Sequence, residues 1–490
     1  MPAPYRVFYW SLYFILKAGF MLSGYNLFSE EAQYWLWSKR LDWAYYSKPP
    51  LIAWVNFGTT SLLGDQEWVI RATALALGAA TLFVFYKVSM QLFANKQLAH
   101  LATMLLSVMP FFVLASTFFT TDSLVLLFWV STFYFFLKAL QHNSPWFWVA
   151  TGISFGLGCL SKQAMLFFVV PLLLPLFWHN GKRYLKGQAI VLVLVLVFHL
   201  PLLWWNYQHD WIMVRHLMNL AGAEQQVQFS KALKQLGELF GGFILINSPF
   251  FFPLLLRTFF FGQQPYPKAD KQKLGLLLAP AMGILLFFTF VALSKRVEVN
   301  WYNVGCVLLP IGMAYALIES KKLIGTQLAF GFTATCLLLF LYPVLQDYSG
   351  INRVLPVRSD AMKRLIGWQM LGQGVQKITD EHPELAPFQV VAVDYHVAAE
   401  LAFYTGNTDV RCLTNIRQPN QFTVWAANGW GQQPANTLFV TDNPTLPPEV
   451  QLYYDTIKTR QVPFIYRGHH LYTYTIYVLR VKPGVLAGGL

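Results

Sequence analysis

Apolar runs long enough to cross about 30 Å of hydrocarbon recur through residues 1–343 of this chain, and their recurrence limits its fold more than any other feature. A backbone in lipid must satisfy its own hydrogen bonds, so such runs become helices. The composition agrees: 56% of the residues are hydrophobic and 12% charged, against about 25% charged in soluble domains. The reading is a polytopic α-helical membrane protein with about 11 spans. They are expected over residues 6–25, 68–92, 98–116, 121–140, 145–161, 163–178, 185–205, 236–257, 274–294, 301–318 and 324–343.

The net charge of +13 does not point to nucleic acid, because Lys and Arg fall mostly in short loops between spans. With the N-terminus inside, inner loops hold Lys96, Lys138, Lys182, Arg183, Lys186, Lys268, Lys271, Lys273, Lys321 and Lys322, as the positive-inside rule requires. Residues 26–67 and the C-terminal region are then placed outside. Cys159, Cys306, Cys336 and Cys412 form neither a disulfide framework nor a CxxC spacing. The run from Val7 to Leu22 has an almost uncharged flank, and it is expected to be an uncleaved first span. The outer stretch 206–235 includes WIMVRHLMNL, whose apolar spacing predicts an amphipathic helix on the bilayer surface.

From residue 344 the apolar runs shorten to strand length: VVAVD at 390–394, TLFVTD at 437–442 and LYTYTIYVL at 471–479. A helix is expected from Tyr395 to Tyr404. The domain reading is therefore a transmembrane domain over 1–343, with loop 26–67 carrying the active site, and a soluble α/β domain over 344–490.

The stretch 26–50, NLFSEEAQYWLWSKRLDWAYYSKPP, holds most of the chemistry. Glu30 and Glu31 can act as a general base or bind a metal. They also suit the start of a helix capped by Ser29. Lys48 precedes two prolines, so it should stand on a stiff turn at a helix start, where a cation can hold a phosphate; snorkelling to lipid headgroups is the alternative. Asp122, in TTDSLVLLFW, falls on the same expected face of the membrane, and it too suits a helix N-terminus. Outward basic residues at span ends (Arg71, Lys162, Lys295 and Arg296) are candidates for substrate binding, together with Tyr46. The histidines lack metal-ligand spacing and are read as structural. Whether a divalent ion sits between Glu30, Glu31 and Asp122 stays open at this level.

EEAQYWLWSKRLDWAYYSKPPLIAW, GDQEWVIRATALALG, TTDSLVLLFW, GLGCLSKQA and KRVEVNW occur in an order and spacing that resembles bacterial GT-C glycosyltransferases of family 39 and its relatives. These include protein O-mannosyltransferases and lipid A aminoarabinose transferases. The resemblance implies a GT-C fold and sugar transfer from a polyprenyl-phosphate donor, on the periplasmic face of the inner membrane. It implies a glycolipid, glycan or protein acceptor. It gives Glu30 the catalytic-acid position that an aspartate usually fills, matches Asp122 to the second family acid, and places Lys48 on the lipid phosphate. Lys162 matches a further lysine of the family. Ser47 stands where the aminoarabinose branch has an acid. A carboxylate that takes the acceptor proton and cations that meet the leaving phosphate agree with this chemistry. A transporter or flippase of anionic glycolipid is the second reading, and it requires inverted repeats or discontinuous helices that the sequence does not announce.

Overall fold

Proline decides how long each apolar run stays helical. The computed structural model describes residues 3–220, 229–320, 323–350, 357, 360–413, 419–427 and 436–483. Helix α1 (Ala3–Met21) is followed by α2 (Ser29–Ser38), α3 (Leu51–Leu63) and α4 (Glu67–Phe93). The expected span 98–116 is two helices, α5 (Lys96–Ser107) and α6 (Pro110–Ala115), because Pro110 bars continuation and opens the second. Helices α7 (Thr121–His142) and α8 (Pro145–Ser161) follow expectation. Residues 163–177 are 3-10 turns around α9 (Val169–Leu173), with Pro171 and Pro175 in the run. After α10 (Leu185–Gln208) comes α11 (Ile212–Leu220), the expected amphipathic helix; residues 221–228 of the same stretch lie outside the described residues.

The expected span 236–257 is broken: α12 (Phe229–Ile246) and α13 (Phe252–Phe259) belong to a pair of segments bent by 87°, at a break where Ser248 has φ +65° ahead of Pro249. Next come α14 (Lys268–Ala292), α15 (Asn303–Cys306), α16 (Leu309–Ser320) and α17 (Leu323–Leu341). Among the described residues, four helical segments are long and apolar enough to cross a membrane, or five if the bent pair is one span. The other expected spans are shorter, interrupted or less apolar.

The chain packs as two compact units. The first comprises Met1–Phe20, Lys48–Ile52 and Arg71–Leu338; the second comprises Met21–Ser47, Ala53–Ile70 and Leu339–Leu490. The units divide between Leu338 and Leu339, and again near 20, 47, 52 and 70.

In the first unit, Phe168 is the hub of an aromatic core, with ring centroids 5.3 Å from Trp129, 6.3 Å from Phe133, 6.0 Å from Phe136 and 5.3 Å from Phe155. Helices α8 and α10 approach closely over Gly152 and Gly156. A Cβ there would lie 2.6 Å from the Leu194 side chain and 2.4 Å from that of Phe198. The spacing is the small-xxx-small pattern that lets helix backbones meet in lipid.

The second unit is built on a five-stranded sheet. Its strands are β1 (Gln389–Ala392), β2 (Arg411–Cys412), β3 (Thr437–Thr441), β4 (Tyr454–Tyr466) and β5 (His469–Val481), in the order β2-β1-β3-β5-β4. β1 pairs in parallel with β2 and β3, and β5 runs antiparallel to both β3 and β4. Arg467 and Gly468, at φ +51° and +76°, form the two-residue turn between β4 and β5, where two positive φ angles fit a type I′ hairpin. Helices α18 (Pro343–Ser349), α19 (Trp368–Glu381), α20 (Tyr395–Thr405), α21 (Gln421–Ala427) and α22 (Pro448–Tyr453) complete it.

Residues 26–47 are part of this second core. The Asn26 side chain accepts from the Trp368 backbone N–H at 3.0 Å, and the Leu27 N–H donates to the Tyr404 hydroxyl at 2.8 Å. The Tyr404 hydroxyl in turn donates to Glu67. Trp35 meets Phe403 edge to face at 5.0 Å, Arg40 donates to the Thr408 carbonyl at 3.1 Å, and the Tyr46 N–H donates to Gln421 Oε1 at 2.6 Å.

Candidate active site

Asp122 is fixed by the start of α7. Thr120, in extended conformation, caps the helix and accepts from the Asp122 N–H at 3.3 Å. Its own N–H donates to Ser123 Oγ at 3.2 Å. Lys162 follows the end of α8 in an extended conformation. Its ammonium reaches Asp122 Oδ1 at 2.7 Å and the Asn300 carbonyl at 2.7 Å. The side chains are only 7% and 11% exposed, so this is a buried ion pair held by three stretches of chain.

Lys48 and Lys295 come from opposite ends of the first unit, and both act on His216 of α11. Burial, with Lys48 and Lys295 adding to it, pushes the imidazole down to about 4. Lys295 also donates to the Asn219 carbonyl. The sequence reading set His216 aside as structural, yet it is where two of the expected cations meet. The other two behave differently. Arg296 is exposed and faces Glu238 at 3.4 Å and Glu298 at 3.8 Å. Arg71 is fully buried, with its guanidinium over the Phe20 ring at 5.5 Å.

In the second unit, α2 starts after Phe28 rather than after Ser29, because Ser29 is already its first helical residue. Glu31 turns its carboxylate back to the Phe28 N–H at 3.0 Å and is fully buried. That is the reciprocal half of a helix-capping arrangement. Glu30 points differently: it is half-buried, and among the described residues its one hydrogen bond comes from the Tyr34 hydroxyl at 3.3 Å.

Helix α2 packs on α20, whose start brings new groups to Glu30. Asp394 caps α20 by accepting from the His396 and Val397 N–H groups at 2.8 and 3.0 Å. Tyr395 is pushed up to about 12 by burial, with the charges of Glu30 and Asp394 adding to it. The His396 ring lies tilted by 36° against Tyr395 with centroids 3.9 Å apart, and its Nδ1 is 3.9 Å from Asp394. Burial lowers its pKa, Asp394 and Glu30 oppose that, and Arg364 adds to it. Tyr46 is half-buried, and burial raises its phenol. His396, Tyr395 and Tyr34 carry no recognisable motif, and only the packing of α2 on α20 reveals them.

Among the described residues no group of three or more His, Cys, Asp or Glu side chains is arranged to hold a metal ion.

Residues 47–205 match the family described as dolichyl-phosphate-mannose-protein mannosyltransferase. The chain is 29% identical over 345 residues to the lipid A galacturonosyltransferase RgtD of Rhizobium johnstonii, covering 70% of each protein. Its fold is similar to that of ArnT from Cupriavidus metallidurans, crystallised with undecaprenyl phosphate: the TM-score is 0.61 at 16% identity, over 98% of this chain and 99% of the other. The oligosaccharyltransferase of Archaeoglobus fulgidus, in complex with zinc and sulfate, aligns with a TM-score of 0.50 at 14% identity, over 94% of this chain and 72% of that one.

Proposed function

We propose that this chain, which is similar to protein-mannosyltransferase-type enzymes and has the fold of ArnT, moves a sugar from a polyprenyl-phosphate donor to an envelope glycolipid on the periplasmic face of the inner membrane. Lipid A is the first acceptor to try, because the RgtD relative is named for it.

In this reading the acceptor hydroxyl attacks the anomeric carbon and its proton passes to Glu30. The bond from that carbon to the phosphate oxygen breaks, and polyprenyl phosphate leaves. The transition state has oxocarbenium character, so charge grows on the leaving phosphate. Lys48 and Lys295 are the cations that meet it; the charges of both bear on His216, which supports the donor half. Glu30 is the acid available for proton transfer, since it is lightly held while Glu31 is committed to its helix start. Asp122, ion-paired to Lys162, supplies charge for the sugar or its acceptor.

The test is turnover by the purified protein in lipid, with polyprenyl-phosphate sugars, galacturonic acid first, and lipid A as acceptor. Release of polyprenyl phosphate together with a glycosylated acceptor is expected, and Glu30→Gln, Asp122→Asn and Lys48→Ala should each reduce it. Movement of the donor lipid across the bilayer with no bond cleavage would replace this reading by the transporter one.

A further inference from the structure

Lys17 stands in the apolar helix α1, buried to 7% exposure in the first unit. Its ammonium donates to the Val113 carbonyl at 2.8 Å, to Ser116 Oγ at 3.0 Å and to Thr117 Oγ1. An ammonium has three N–H donors and no acceptor, so all three are used. All three acceptors belong to one turn, the end of α6 and the residues just after it. Charged groups at such depth are rare and mark function more often than packing.

The same turn is held from the other side by the start of α7. Ser123 Oγ donates to the Ala115 carbonyl at 2.6 Å and contacts the Phe118 carbonyl at 3.0 Å. Ser123 is the residue next to Asp122. The turn 113–118 is therefore bracketed, by Lys17 on α1 and by the first turn of α7 that carries the Asp122 carboxylate to Lys162. Phe20, one helical turn beyond Lys17, packs edge to face on Phe118 at 5.7 Å and extends the contact. The hydroxyls of Ser116 and Thr117 donate back to the Phe112 and Val113 carbonyls at 2.7 and 2.6 Å, which turns their lone pairs toward Lys17.

We propose that Lys17 is a positioning residue for Asp122: it fixes the turn from which α7 starts and so sets where the Asp122–Lys162 pair stands. The inference rests on the role given to Asp122 above. Misplacing a reacting group by about 1 Å through a remote change can cost about 100-fold in rate.

The experiment is a double-mutant cycle on the full-length enzyme in lipid, with kcat and KM measured for wild type, Lys17→Met, Asp122→Asn and the double variant. Lys17→Met should lower kcat about tenfold or more with KM within about twofold, and should have no further effect once Asp122 is already Asn. Thr117→Val, which removes one acceptor and keeps the shape, should give a smaller effect with the same non-additivity; it carries the test if Lys17→Met does not fold. Equal factors in both backgrounds, or wild-type kcat in Lys17→Met, overturn the inference and leave the reading of Asp122 intact. Wild-type turnover in Asp122→Asn overturns that reading, and the inference falls with it.

Discussion

The two acid centres of this protein are built in opposite ways. In the first unit, Asp122 is buried, ion-paired to Lys162 at 2.7 Å and tied through it to a third segment at Asn300. In the second, Glu30 is half-buried, with, among the described residues, one long bond from Tyr34 and an imidazole nearby whose charge can change. A carboxylate locked to a cation is a poor proton acceptor, because protonation would leave the cation buried alone. A lightly held one can accept a proton at little cost. The contrast is the physical ground for the proposed division, proton transfer at Glu30 and fixed charge at Asp122.

The largest expected effect tests that division directly. Glu30→Gln keeps shape and loses basicity, so kcat should fall by about 100- to 10,000-fold with little change in KM. If Asp122→Asn shows the larger loss and Glu30→Gln a minor one, the assignment is reversed.

Next in size is the stability of the buried pair. Lys162→Met leaves the Asp122 carboxylate buried without its cation and should cost about 3–5 kcal/mol of stability. Adding Asp122→Leu should restore most of the stability and none of the turnover. Denaturation in detergent and activity, measured on the same preparations, separate the two. A matching experiment on Glu30 should show almost no stability change, which is the sharper half of the comparison.

Local capping at α2 was readable in the sequence, because SEE before an apolar run marks a helix start; only the cap itself moved, from Ser29 to Phe28. Strands β1, β3 and β5 and helix α20 were readable too, from short apolar runs beside a helix pattern. Strand β4 was not: its segment YDTIKTRQVPFIY is mostly exposed, and its one apolar stretch, VPFIY, carries a proline that argues against a strand. The breaks at Pro110 and Pro249 were missed because summed hydropathy does not register the lost hydrogen bond at a proline. Asp122 and Lys162 were each singled out, but 40 residues separate them, and pairing at that distance is set by the packing of α7 on α8. The histidines were undervalued for the same reason. His216 and His396 gain their meaning from Lys48, Lys295 and Glu30, all remote in sequence.

His396 gives the Glu30 side a pH dependence of its own. Its pKa is lowered, so the ring is neutral at pH 7 and takes up a proton only below its ordinary value of 6.5. Burial and Arg364 oppose that proton, while Asp394 and Glu30 favour it. Once protonated, the ring stabilises the Glu30 carboxylate and weakens it as a base, so kcat should fall as pH drops below 6.5. The unfolded chain also binds this proton more readily than the folded one, so stability declines over the same acid range. His396→Gln should flatten the acidic limb of kcat by a few-fold at pH 5.5 and leave the pH 8 value near wild type. An unchanged limb would detach His396 from Glu30.

The smallest effect belongs to the one bond that Glu30 makes. At 3.3 Å the Tyr34 hydroxyl is a weak donor, and a bond of this kind contributes about 0.5–1.5 kcal/mol net. Removing it in Tyr34→Phe should lower kcat about fivefold at most. KM for the donor should not move. The corresponding cut in the first unit, weakening the Lys162 contact to Asp122, should be far more damaging, since there the bond is short, charged on both sides and buried. A Tyr34→Phe loss as large as that of Lys162→Met would mean that Glu30 is held as firmly as Asp122, and the functional division between the two acids would have to rest on something other than how tightly each is bound.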